Sequence, residues 1–186
     1  MLLIGFVLLS FNLFSQTLKG FYVTNTNDTV NCTVVKPLSF FGNKLDVSVL
    51  YGPLTVIENG VKKKFKHHEI KSFTVFDADK KYVFGSFVDE KRCFANILVE
   101  GRLTLCNVYA TNSYDHSFSP IQALVKDGKM YRLNIFNRHR TIGELIADCP
   151  ELYRDWLAGN KYKKSDLEAI VQAYNSCKAN QNEQKN

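Results

Sequence analysis

Residues 54–66 read LTVIENGVKKKFK. Two runs of strand-forming character, Leu54 to Glu58 and Val61 to Lys66, flank Asn59-Gly60. A two-residue type I′ turn needs positive φ at both central positions, and Asn-Gly is the pair that tolerates it best. In that register Leu54 faces Phe65 on one side of the hairpin, while Lys62 and Lys64 project from the other, wet side.

Working outward, the same grammar repeats. On the N-terminal side, GFYVT (20–24) and TVNCTVV (29–35) flank the turn-rich tetrad Asn25-Thr26-Asn27-Asp28, and Leu45 to Leu50 alternates apolar and polar residues. On the C-terminal side, Ile70 to Phe76 pairs with Tyr82 to Val88 around Asp77-Ala78-Asp79-Lys80. Phe94 to Val99 pairs with Leu103 to Tyr109 around Glu100-Gly101-Arg102, and Ile121 to Lys126 pairs with Met130 to Phe136 around Asp127-Gly128. The polar, Pro-terminated segment TNSYDHSFSP (111–120) is the substantial loop. Turn signals at this spacing, without long helices between them, predict an antiparallel sheet and disfavour a βαβ enzyme scaffold.

The periodicity changes near residue 140. Thr141-Ile142-Gly143-Glu144 and Ser165-Asp166-Leu167-Glu168 fit the capping box, Pro150 suits a first helical position, and Gly159-Asn160 suits a stop. Apolar residues at helical spacing predict three short helices over about 141–148, 150–158 and 165–177. The expected fold class is therefore α+β: mainly antiparallel β, as a sandwich or open barrel of hairpins, with a C-terminal cap of three short α-helices.

The 186 residues are 45% hydrophobic and 23% charged, which suits a single domain with its own core. Met1 to Phe14 carries no charge and is shorter than the roughly 20 apolar residues a membrane-spanning helix needs. With Ser15, Gln16 and Thr17 after it, this stretch reads as a signal peptide over residues 1–15, although the usual basic n-region is missing. The expected organisation is that leader, a β domain over 16–138, a helical cap over 139–178 packed on the sheet, and a disordered polar tail over 179–186. The expected destination is the periplasm, cell envelope or exterior, with no permanent transmembrane segment after cleavage.

Lysines and arginines number 24 against 18 acidic residues, a net charge of +6. No helix-turn-helix, zinc-finger or aromatic RNA-binding motif accompanies the lysine clusters, so nucleic acid is not the expected partner. Export puts Cys32, Cys93, Cys106, Cys149 and Cys177 in an oxidising compartment. Cys149 at a helix start and Cys177 late in the last helix meet if those helices are antiparallel, giving a candidate disulfide. Cys93 with Cys106, near the Glu100-Gly101 turn, is the weaker candidate. Cys32 is the odd thiol or an alternative partner for Cys93.

Several stretches resemble a family of uncharacterised exported proteins of Bacteroidota. GFYVTNTNDTV (20–30) resembles its opening hairpin, and ENGVKKKFKHHEIKSFTV (58–75) its Asn-Gly hairpin and Glu-Ile-Lys-x-Phe stretch. ILVEGRLTLCNVY (97–109) resembles its Leu-Val-Glu-Gly-x-Leu-x-Leu hairpin. ADCPELYRDWLAGNKYKKSDLEAIVQAYNSC (147–177) resembles its closing helices, with Asp-Cys-Pro-x-Leu and a final Tyr-Asn. The resemblance implies export and fold and brings no assigned activity. Asp28-Thr29-Val30 also resembles the O-glycosylation triplet of exported proteins in that group, making Thr29 a candidate acceptor.

Catalytic patterns are sparse. His67 and His68 are adjacent on a strand-like stretch, whereas a zincin needs two histidines four apart on a helix, so no metal site is expected there. Asp115-His116 and His139 with a cysteine would make a Cys–His nucleophile pair, but no elbow or cysteine-centred signature positions them. No cofactor is expected. The leading functional expectation is a non-enzymatic envelope or extracellular module that binds a protein or surface partner, with Tyr109, Tyr114 and Phe118 as a sticky rim. A β-barrel carrier of a small apolar ligand is the alternative, and a Cys/His hydrolase the second.

Overall fold

The computed structural model describes residues 17–36, 50, 52–87, 93–111, 114, 118–159, 161–163 and 166–183. The leader at 1–15, most of the strand expected over Leu45 to Leu50, and Asp115-His116 lie outside the described residues.

Among the described residues, ten strands form one antiparallel sheet: β1 (Thr17–Thr24), β2 (Thr29–Val35), β3 (Leu54–Glu58), β4 (Val61–Phe65), β5 (Ile70–Asp77), β6 (Lys80–Gly85), β7 (Ala95–Val99), β8 (Leu103–Thr111), β9 (Phe118–Lys126) and β10 (Lys129–Arg132). Their spatial order is β10-β9-β8-β7-β6-β5-β1-β2-β3-β4. Three helices follow: α1 (Arg138–Ile146), α2 (Pro150–Ala158) and α3 (Leu167–Glu183). The α+β reading holds, with a single open sheet.

The Asn59-Gly60 hairpin folds as its turn chemistry requires. Both residues have positive φ, 51° and 79°, and Leu54 stands opposite Phe65. Both sheet edges are basic and blunt. β4 exposes Val61 to Lys64, and β10 runs for only 4 residues. Edge lysines oppose strand-to-strand association with another copy.

The position of β5 forces the first half of the sheet to curl. β4 and β5 lie four strand intervals apart, which in a flat sheet is about 19 Å. The five Cα steps from Phe65 to Ile70 reach about 18 Å only when fully extended. Yet this connection is a turn, closed by the Glu69 amide donating to Lys66 O at 3.0 Å. Accordingly the Tyr22 ring of β1 meets the Phe65 ring of β4 at 4.9 Å. The curl encloses a core of Tyr22, Val34, Leu54, Val56, Ile70, Phe73, Val75, Phe84 and Phe94. Phe73 stacks on Phe84 at 4.5 Å and meets Phe94 edge-on at 4.9 Å.

On the other half, the same sheet face carries Leu103, Leu105 and Leu124 and receives the helices through Ile142, Ile146, Trp156, Leu167, Ile170, Val171 and Tyr174. The opposite face is a smaller cluster of Ala95, Cys106, Val108, Ala123 and Val125, with Phe87, Ile121 and Met130 against it.

Three local expectations need correction. α1 begins at Arg138, not Thr141, because Arg138 N donates to Asn134 O and Thr141 N to Asn137 O. Thr141 is thus a buried residue inside the helix, not its cap. β10 stops at Arg132, so Asn134 to Phe136 form a turn. α3 runs to Glu183, past the start of the tail expected to be disordered, since the buried Lys178 anchors it. Pro150 does open α2, and Gly159 closes it with φ 67°.

Candidate functional site

The turn between β10 and α1 displays two large apolar side chains to solvent. Ile135 is 87% and Phe136 89% exposed. Their backbone is held rigidly by two asparagines. Asn134 Oδ1 accepts from the amides of Phe136 (2.8 Å) and Asn137 (2.9 Å). Asn137 Oδ1 accepts from the Asn134 amide at 2.8 Å, and Asn137 Nδ2 donates to Arg132 O at 3.0 Å. Arg138 Nη2 donates to Gln122 Oε1 of β9 at 2.6 Å, fixing the turn to the sheet. Short polar side chains that bond their own backbone stabilise such turns. Large apolar groups held out in water cost free energy that only contact with something else recovers.

The helix that follows, α1, and its neighbour α2 line a surface cleft of about 600 Å³, α1 with His139, Arg140, Gly143 and Glu144 and α2 with Tyr153, Trp156 and Leu157. The His139 ring stacks on Trp156 at 4.8 Å, and Trp156 Nε1 donates to His139 O at 3.2 Å. Leu157 is 57% exposed on the rim. A second cleft of about 360 Å³ lies over the Cys149–Cys177 disulfide, with Glu151, Asp155, Lys161 and Tyr162 among its walls.

Beneath these surfaces, one polar junction ties the helices to the sheet. Asp148 receives Lys126 Nζ at 3.2 Å, Lys178 Nζ at 3.1 Å and the Tyr174 hydroxyl at 3.1 Å. Burial opposes its charge, but hydrogen bonds from Lys178, Lys126 and Tyr174 outweigh that and hold the carboxyl below its ordinary range. Lys126 also donates to Leu145 O at 2.6 Å, at the negative end of α1. One turn of α3 away from Lys178, Asn175 bonds both backbone groups of Leu103: Oδ1 accepts from its amide at 2.9 Å, and Nδ2 donates to its carbonyl at 3.0 Å. A β-carbon at position 101 would collide with the Asn175 amide, so the approach needs Gly101. The Gly-x-Leu hairpin, the Asp-Cys-Pro turn and the final Tyr-Asn, far apart in sequence, meet here.

The cysteines divide clearly. Cys149 and Cys177 are bonded, with Cα atoms 6.5 Å apart. The weaker pairing of Cys93 with Cys106 does not form. Cys106 stands opposite Ile97 and Ala123, and Cys93 lies ahead of β7; both are buried thiols. Cys32 is a half-buried thiol pushed up to about 11, by burial first and then by the Glu58 carboxylate, the reverse of an activated nucleophile. Glu58 accepts from Tyr22 OH and from Lys63 Nζ, both at 2.8 Å.

The other singled-out residues scatter. His67 and His68 occupy the β4–β5 turn, where Glu69 Oε2 accepts the Lys66 amide at 2.6 Å. Among the described residues, no group of three or more His, Cys, Asp or Glu is placed to hold a metal ion. Thr29 is exposed at the start of β2. Tyr114 is 95% exposed, and the Phe118 side chain, also part of the expected aromatic rim, lies outside the described residues. Sequence reading missed Ile135-Phe136 by extending the last strand through it. The paired Asn134 and Asn137 around it were the available signal for a turn.

Fold and junction define a sheet-and-cap α+β domain, covalently stapled. Searches of protein-family models, curated proteins and solved structures return no match to this chain. Among the described residues, no helix is long and apolar enough to cross a membrane.

Proposed function

We propose that this chain is an exported, non-enzymatic envelope or extracellular module that docks on a surface partner through the Asn134–Asn137 turn. The observation that carries this reading is the pair Ile135 and Phe136, 87% and 89% exposed on a turn built to keep them so. The disulfide suits the oxidising compartment to which the apolar leader would deliver the chain. Membership of the Bacteroidota family of exported proteins, and glycosylation at the exposed Thr29, belong to the same proposal. The clefts favour docking over carriage: both open on the helical cap and have charged walls, where a carrier of an apolar ligand wants an enclosed, apolar cavity.

The test is retention by washed envelope fragments of the source cells. Wild-type chain is expected to sediment with them, and Ile135→Ser/Phe136→Ser to lose at least about tenfold in retention with an unchanged near-UV spectrum, given what two apolar side chains contribute on burial. Equal retention of the two chains would refute the reading.

A further inference from the structure

The flanks of the turn point to the chemistry it meets, an inference that rests on the docking reading above. From Lys129 to Gly143 the chain contains no carboxylate, while Arg132 precedes the apolar pair in sequence and Arg138, His139 and Arg140 follow it, with Lys129 further away at the start of β10. Lys129, Arg132, His139 and Arg140 are exposed. Arg140 spends its charge only on a long contact of 3.7 Å with Glu144, both side chains well exposed, which water and salt screen and which a phosphate would readily replace.

We infer that the partner is an anionic phospholipid surface, with Ile135 and Phe136 inserted at the headgroup–acyl boundary and Arg132 and Arg140 on headgroup phosphates. Three observations favour lipid over a protein partner. The apolar element is two side chains on one turn, far short of the roughly 800 Å² a side that a stable protein interface covers. A small wedge does suffice at a membrane interface, where buried apolar area and attraction to anionic lipid combine. The flanking cations share one sign, with no carboxylate in the sequence between Lys129 and Gly143, which complements an anionic plane. The turn is already braced by Asn134 and Asn137, so inserting it orders little further backbone.

The experiment is flotation of the purified chain with vesicles of phosphatidylcholine, alone or with about 30% phosphatidylglycerol, at low and raised salt. All three chains compared carry the same N-terminus, so any contribution of residues 1–15 is common to them. Wild-type chain is expected to bind the anionic vesicles at least about tenfold better than the neutral ones, and to release as salt rises. Ile135→Ser/Phe136→Ser should lower anionic-vesicle binding about tenfold, and Arg132→Gln/Arg140→Gln should lower it similarly and flatten its salt dependence. Trp156 emission serves as the check that each variant is folded. Binding that ignores phosphatidylglycerol, or that the first variant leaves unchanged, overturns the inference. If vesicles fail to bind while envelope fragments still distinguish wild type from Ile135→Ser/Phe136→Ser, the lipid inference falls and the docking reading stands with a protein as partner. If neither surface distinguishes them, both fall.

Discussion

In the β1–β6 half, cohesion comes from aromatic burial inside a curled sheet: Phe73, Phe84 and Phe94 around one another, Tyr22 against Phe65. In the β7–β10 half, the sheet is flanked by helices and the joint is made of individual directed contacts: a disulfide, Asp148 between two lysines, and Asn175 on the Leu103 backbone. The difference teaches where each half is vulnerable. An aromatic core fails by losing volume, whereas a stapled joint fails when one bond is cut. It also explains why the displayed turn sits on the stapled half, where α1 and β9 hold its two ends.

The largest expected effect probes the aromatic half. Phe73→Ala should cost about 3–5 kcal/mol, because the Phe84 ring stacked on it and the Phe94 ring edge-on to it cannot collapse into the space left behind. Denaturant unfolding measures it, and a loss under about 1 kcal/mol would mean the curl does not depend on that stack. Next, removing the staple with Cys149→Ser/Cys177→Ser should cost about 3–4 kcal/mol, the loop-closure entropy for a separation of 28 residues. Hydrogen exchange should show the loss first in α2 and α3, while β5 and β6 keep their protection. Uniform loosening would break the division into halves.

Asn175→Ala comes third, at about 1–3 kcal/mol, since it strips two partners from a part-buried backbone pair. Faster exchange of the Leu103 amide is the specific readout. The smallest effect is a pH dependence. Asp148 has a folded value below its unfolded one of about 3.9, so its bonds stabilise the protein above pH about 4 and are lost as pH falls through the depressed value. Asp148→Asn should therefore be less stable at neutral pH and show a flatter stability profile below pH about 4. An acid limb as steep as wild type would place the responsible carboxylate elsewhere.

Local chemistry made much of this fold legible in the sequence. Asn59-Gly60 and Asp127-Gly128 each set a turn through positive φ, and Pro150 and Gly159 bracket α2 as their backbone preferences dictate. What stayed hidden was long-range. Nothing near Gly101 announces that Asn175, which bonds Leu103 from 72 residues away, will fill the space over it. The curl follows from which strand β5 joins, a choice no hairpin signal encodes. The displayed turn was hidden for a different reason. Apolar Leu133, Ile135 and Phe136 continue a strand pattern, and only the bonds of Asn134 and Asn137 end it.

Photocrosslinking compares the two halves most directly: one chain with benzoylphenylalanine in place of Phe136, another with it in place of Val61, the 59%-exposed residue on the β4 edge. Irradiated with envelope fragments, the chain labelled at 136 should yield a defined adduct, and the chain labelled at 61 should yield none. Adducts from 61 alone, or equally from both positions, would contradict a docking surface on the stapled half.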